Sequence, residues 1–167
     1  MWLAHLLTLS RFPIALGLTQ TYGETLPTVL LIALAALTDA LDGTVARAAK
    51  RRGATGPDIG GWLDPLVDKL FVVIVLATIW VHTRDVALIA LIAAREIVLV
   101  PLLVAYLVQH RPASHLRADP IGKAATIAQF VALAVAVAAP AWALPVAGIA
   151  AVLGLLAVGH YVVRELR

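Results

Sequence analysis

Half of the ten acidic residues in this chain of 167 crowd between Asp39 and Asp68: Asp39, Asp42, Asp58, Asp64 and Asp68. Four of them, Asp39, Asp42, Asp64 and Asp68, sit in segments that are otherwise apolar. An Asp at the centre of a bilayer costs roughly 2.5–3.5 kcal/mol, so four approach about 10 kcal/mol as an upper bound. A cluster that costly needs compensation, and bound cations are the obvious means. Oxygen donors alone, with no cysteine in the chain and no histidine in the cluster, favour hard ions such as Mg²⁺, Mn²⁺ or Ca²⁺ over zinc or copper. Four neighbouring carboxylates cannot all stay ionised without such ions, because each raises the others' pKa. Two divalent ions would match the charge. Paired metals roughly 3.5–4 Å apart stabilise attacking and leaving oxygens in phosphoryl transfer.

Helical spacing predicts that the acids share a face. At about 100° per residue, Asp42 falls about 60° from Asp39, with Gly43 and Ala46 on the same stripe. By the same count Asp68 and Gly60 each fall about 40° from Asp64. Two acids and one or two small residues thus mark each helix, and the cytoplasmic loop joining the helices sets both stripes at one depth. Facing each other, they would form a four-carboxylate cup with room for a ligand.

The elements that carry them are expected to be membrane helices. Hydrophobic residues make up 62% of the chain and charged residues 14%, against roughly 25% charged in an ordinary soluble domain. The mean hydropathy is +0.94. A water-soluble globule of this length has too little interior for that much apolar surface. Six apolar segments are read: Leu6–Tyr22, Leu26–Ala48, Leu63–Val81, Val86–Gln109, Lys123–Ala139 and Ala141–Val163. They are continuously apolar, which argues against barrel strands. Trp2 and His5 stand where a cleaved leader would be basic, and Arg11 interrupts the first apolar run. With the N-terminus inside, the inner side collects Arg11, Arg47, Lys50, Arg51, Arg52, Arg111, Arg117, Lys123, Arg164 and Arg167, and the outer side only Arg84. That asymmetry fits the positive-inside rule and an even number of crossings. The expected fold is an all-α integral membrane protein of one domain, Met1–Arg167, a bundle of six transmembrane helices with both termini cytoplasmic. The net charge of +3 reads as membrane-edge anchoring, with no nucleic-acid partner.

The segment Asp39-Ala-Leu-Asp42-Gly43-Thr-Val-Ala46-Arg47, with Gly60-Gly-Trp-Leu-Asp64-Pro-Leu-Val-Asp68 after it, resembles the signature of the CDP-alcohol phosphatidyltransferases. That signature reads D-x2-D-G-x2-A-R, a spacer, then G-x3-D-x3-D, and all of its defining residues are present. The spacer, Ala48–Ile59 here, is four residues longer than usual, which is expected to lengthen the cytoplasmic loop near Arg51–Pro57. Leu7-Thr8-Leu9-Ser10-Arg11, Leu63-Asp64-Pro65-Leu66-Val67-Asp68-Lys69, Arg95-Glu96-Ile97 and Gly122-Lys123-Ala-Ala-Thr126-Ile-Ala-Gln129 resemble segments of the phosphatidylglycerophosphate synthase branch. Cardiolipin synthases share two of these segments. The last helix carries no such spelling and reads as generic.

The resemblance implies six-helix membrane enzymes, usually homodimers, that move a phosphatidyl group from CDP-diacylglycerol to an alcohol and release CMP. It implies two Mg²⁺ or Mn²⁺ ions held by Asp39, Asp42, Asp64 and Asp68, with Asp68 also the base for the acceptor hydroxyl. Gly43, Ala46 and Gly60 would let the cytidine nucleotide approach the helix backbones, and Arg47 would contact it. A phosphorylated acceptor such as sn-glycerol 3-phosphate needs cations, for which Arg95, Lys123, Arg117 and Arg111 are the candidates. The site would face the cytoplasm of a bacterial plasma membrane, next to membrane lipids.

Plainer readings stand beside these. Arg95 and Glu96 also suit interhelical hydrogen bonding. Lys50-Arg51-Arg52 suits an anchor to anionic lipid, and Trp62, Trp80 and Trp142 suit interfacial belts. The small-residue pairs Ala147/Ala151 and Ala150/Gly154 suit helix packing or dimerisation. A non-catalytic divalent-cation carrier is the alternative of a different class, but it should spread its acids through the membrane depth instead of gathering them at one side.

Overall fold

A computed structural model describes residue 6 and residues 9–51, 60–108 and 120–165. Its helices in chain order are α1 (Arg11–Thr21), α2 (Thr25–Arg51), α3 (Gly60–Thr83), α4 (Val86–Val108), α5 (Pro120–Ala138) and α6 (Pro140–Glu165). Among the described residues there is no strand. Each expected segment corresponds to one helix, with ends displaced by a few residues. The loop expected to be lengthened near Arg51–Pro57 lies, beyond Arg51, outside the described residues.

The chain divides into two compact units, Met1–Arg84 and Asp85–Arg167. In the first unit α1 packs against both α2 and α3. Its buried stripe is Arg11, Ile14, Ala15 and Leu18, the three-and-four spacing of one helical face. Ile32 and Ala35 of α2, and Val67, Phe71, Val75 and Ile79 of α3, complete this core. The α1–α2 connection is tight. Gly23 takes φ 108°, a left-handed conformation that glycine adopts without steric cost, and the Glu24 amide donates to the Thr21 carbonyl at 2.9 Å. At the far end of α3 the Arg84 guanidinium lies 4.6 Å from the Trp80 ring centroid, a cation–π pair.

In the second unit Asp85 caps α4, its Oδ1 accepting from the Leu88 amide at 3.0 Å, the side-chain bond that satisfies a free helix-end donor. Pro140 opens α6, where a missing N–H costs nothing, with only Ala139 between it and the end of α5. Helix α6 packs against both α4 and α5. Its inner face is built from small residues, with Ala143, Ala147, Ala150, Ala151 and Ala157 all buried, so backbones approach closely. The Ala147/Ala151 and Ala150/Gly154 pairs therefore serve packing inside this unit. Pro120–Ala138 and Pro140–Val163 are long and apolar enough to cross a membrane, while α2 and α3 carry the shorter apolar stretches Thr25–Leu41 and Lys69–Thr83. Exposed Ile127, Trp142, Ile149 and Leu156 give the long pair an apolar exterior.

Candidate active site

The four acids all belong to the first unit, on the two helices that α1 touches. Asp39 and Asp42 lie on the unbroken run of α2, and Asp64 and Asp68 on the first turns of α3. Gly43, Ala46 and Arg47 continue α2, and Gly60 is the first residue of α3. The helical backbone on which their shared stripes depend is therefore in place. The side chains of Asp42, Asp64, Asp68 and Arg47 lie outside the described ones. Among the described residues no three metal-binding side chains converge.

Asp39 is described in full, and it has a partner that the sequence reading did not give it. Arg11 Nη2 lies 3.1 Å from Asp39 Oδ1. The Arg11 side chain is 2% exposed and that of Asp39 33%, so the cation is sealed inside while the acid opens outward. The hairpin register makes this meeting. Thr28 Oγ1 donates to the Thr21 carbonyl at 2.7 Å beside the turn. A Cβ on Gly17 would lie 3.2 Å from Leu31 Cδ1, so α1 runs close to α2 at that level. As the first partner steps back from 21 to 17 to 11, the second advances from 28 to 31 to 39. Antiparallel helices in that register bring Arg11 to Asp39 one level further on. Part of the compensation assigned to bound cations thus comes from the chain itself. The available signal was the buried spacing of Arg11 with Ile14, Ala15 and Leu18, which reads as a core position rather than an anchor at the membrane edge.

Of the four candidate acceptor cations, Arg95 lies within α4 and Lys123 is exposed in the first turn of α5. Arg111 and Arg117 lie outside the described residues. Arg95 Nη1 donates to Thr126 Oγ1 at 2.8 Å, and Thr126 Oγ1 donates to the Gly122 carbonyl at 3.1 Å. Arg95 is in this way tied to the turn that carries Lys123. Its Nε is buried without a hydrogen-bond partner among the described residues. Beside it, Gln129 Nε2 donates to Glu96 Oε2 at 2.7 Å and to the Ile92 carbonyl at 3.1 Å. Arg95 and Glu96 thus do make the interhelical bonds of the plainer reading, through Thr126 and Gln129.

Helix α6, generic by sequence, shapes this network. A Cβ on Gly154 would fall 2.8 Å from Arg95 Cβ, so only glycine lets Arg95 pass there. A Cβ on Gly122 would overlap the Tyr161 hydroxyl. Neither role has a local signature, because each depends on a contact between residues far apart in the chain.

Comparison with known proteins brings one match. A family model described as CDP-alcohol phosphatidyltransferase matches residues 1–162. Neither the curated proteins nor the solved structures give a match.

Proposed function

The chain belongs to the CDP-alcohol phosphatidyltransferase family, which transfers substituted phosphate groups in phospholipid synthesis, and from that premise we propose that it moves the phosphatidyl group of CDP-diacylglycerol onto sn-glycerol 3-phosphate. The acceptor oxygen attacks the phosphorus that bears diacylglycerol, its proton passes to Asp68, and the bond to the bridging oxygen breaks so that CMP leaves. The family match over residues 1–162 carries this reading. The unbroken helices under Asp39–Asp42 and Asp64–Asp68 support it.

The family is membrane-associated and generally depends on divalent metal. The donor set here fits such ions, being four carboxylates on two helical stripes with no sulfur. Asp39, Asp42, Asp64 and Asp68 would hold two Mg²⁺ or Mn²⁺ ions, which when bound neutralise the diphosphate charge. Gly43, Ala46 and Gly60 leave space for the cytidine nucleotide, and Arg47 contacts the nucleotide side. Arg95, Lys123, Arg111 and Arg117 bind the acceptor's phosphate. Arg95 suits that role because Thr126 fixes one nitrogen while another buried nitrogen lacks a partner among the described residues.

We read Met1–Arg167 as one transferase domain with six membrane crossings. It works as a homodimer in a bacterial plasma membrane, both termini and the site facing the cytoplasm. The uneven placement of basic residues supports that orientation.

The test is purified protein with CDP-diacylglycerol and Mg²⁺, scoring CMP release with glycerol 3-phosphate, phosphatidylglycerol, inositol phosphate or serine. Release with phosphatidylglycerol alone would make it a cardiolipin synthase, and release with no alcohol would remove the transferase reading. Asp68→Asn should abolish CMP release while the protein still inserts and folds. Full activity in that variant takes Asp68 out of the mechanism.

A further inference from the structure

Arg11 is an expensive residue to enclose. Helical backbone leads into it, with Ser10 in the αR region and its amide donating to the Leu6 carbonyl at 3.0 Å, so it is not a free helix end that sets its charge. Its guanidinium is sealed from solvent, and burying a cation costs free energy unless it is paired. That cost falls on a residue whose Nη2 lies 3.1 Å from Asp39 Oδ1. The hairpin register that delivers it there is set by the turn at Gly23 and by the Gly17–Leu31 approach.

We propose that Arg11 is a positioning residue for the metal site: its contact with Oδ1 fixes the rotamer of Asp39 and aims that carboxylate at a divalent ion. The inference rests on the proposed reading of Asp39 as a metal ligand. A carboxylate offers about four lone-pair directions, and the arginine contact orients it through Oδ1. The asymmetry of the pair fits this use. A pair serving packing alone would be closed on both sides, whereas here the guanidinium is enclosed and the carboxylate remains one-third exposed. Groups that hold a metal ligand from behind set its orientation and the affinity of the site. Lysine in place of Arg11 would keep the charge but lose the planar fork that fixes direction.

The experiment compares wild type, Arg11→Gln, Arg11→Lys and Asp39→Asn as purified protein in detergent. Mn²⁺ binding is read by the electron paramagnetic resonance of free Mn²⁺, and CMP release is titrated with Mg²⁺. Arg11→Gln should weaken Mn²⁺ binding about 10- to 100-fold and raise half-saturating Mg²⁺ by the same factor. Its turnover at saturating Mg²⁺ should return to within a few-fold of wild type. Arg11→Lys should fall between the two, and it decides the matter if Arg11→Gln does not fold. A packing role alone would lower activity equally at every Mg²⁺ concentration. Unchanged Mn²⁺ affinity in the arginine variants, with Asp39→Asn defective, overturns this inference and leaves the metal assignment standing. Unchanged affinity in Asp39→Asn overturns the ligand assignment and the inference with it.

Discussion

Gly154→Ala adds a single methyl group where α6 passes close to Arg95 of α4. The new Cβ would lie 2.8 Å from Arg95 Cβ, 3.5 Å from its Cγ and 3.7 Å from its Cα. Carbon atoms settle at about 3.5–4.0 Å, so the first contact is short by at least about 0.7 Å. Neither Arg95 Cβ nor Cα can swing aside as a side-chain tip can, so the α4 backbone must move away from α6. Arg95 Nη1 starts 2.8 Å from Thr126 Oγ1. The same displacement taken along that bond would stretch it to about 3.5 Å, where hydrogen bonding fails. Overpacking of this kind costs about 1–3 kcal/mol, against about 0.5–1 kcal/mol gained by replacing a helical glycine with alanine. Gly148→Ala and Gly159→Ala isolate that gain, since a Cβ at either position meets nothing within 4 Å. Thermal unfolding in detergent should rank Gly154→Ala below both controls. Because Arg95 is read as an acceptor contact, the KM for glycerol 3-phosphate should rise up to about 100-fold, the scale set by a 1 Å misplacement. The KM for CDP-diacylglycerol should change much less. A Gly154→Ala protein that melts and turns over like Gly148→Ala would refute the view that α6 positions Arg95.

Two further outcomes follow from the same geometry and chemistry. Gly122→Ala should destabilise the protein because its methyl overlaps the Tyr161 hydroxyl, and Tyr161→Ala in the same chain should recover much of the loss. The double-mutant cycle should give a coupling of about 0.5–3 kcal/mol, whereas additive effects would deny the contact. Chelation with EDTA should abolish CMP release, with Mg²⁺ or Mn²⁺ restoring it and Zn²⁺ failing to, as an oxygen-only donor set requires. Activity that survives chelation would remove the metal.

What the sequence made legible was local. Asp39 with Asp42 and Asp64 with Asp68 share helix faces because three- and four-residue spacings fix faces wherever a helix forms, and the helices formed. The segment ends were less exact for a physical reason. Hydropathy marks where apolar character stops, but a helix continues while its backbone bonds do, so α2 runs on through Arg47 to Arg51. The starts read at Val86 and Ala141, by contrast, fall within a residue of those of α4 and α6, where Asp85 caps one helix and Pro140 opens the other. Contacts between distant residues were not legible residue by residue. Gly154 reads as one more small residue until Arg95 is set against it. The Arg11–Asp39 pair was half visible, because a tight turn at Gly23 fixes an antiparallel register that can be counted outward from Thr21 and Thr28.

That pair also changes the charge argument for the proposed metal site. Four carboxylates alone would be balanced by two divalent ions, leaving those six groups with no net charge to favour an anionic diphosphate. With the fixed charge of Arg11 at Asp39, the same two ions leave the group with a net positive charge. The buried guanidinium supplies that excess from inside the unit. An exposed lysine would supply it less well, because salt screens exposed charges more than buried ones. On the proposed reading, the enclosed cation both aims a ligand and biases the site toward the donor's negative charge. On that reading, hydrophobic residues in place of both partners, a change that often costs no stability, would remove the ligand and the bias together.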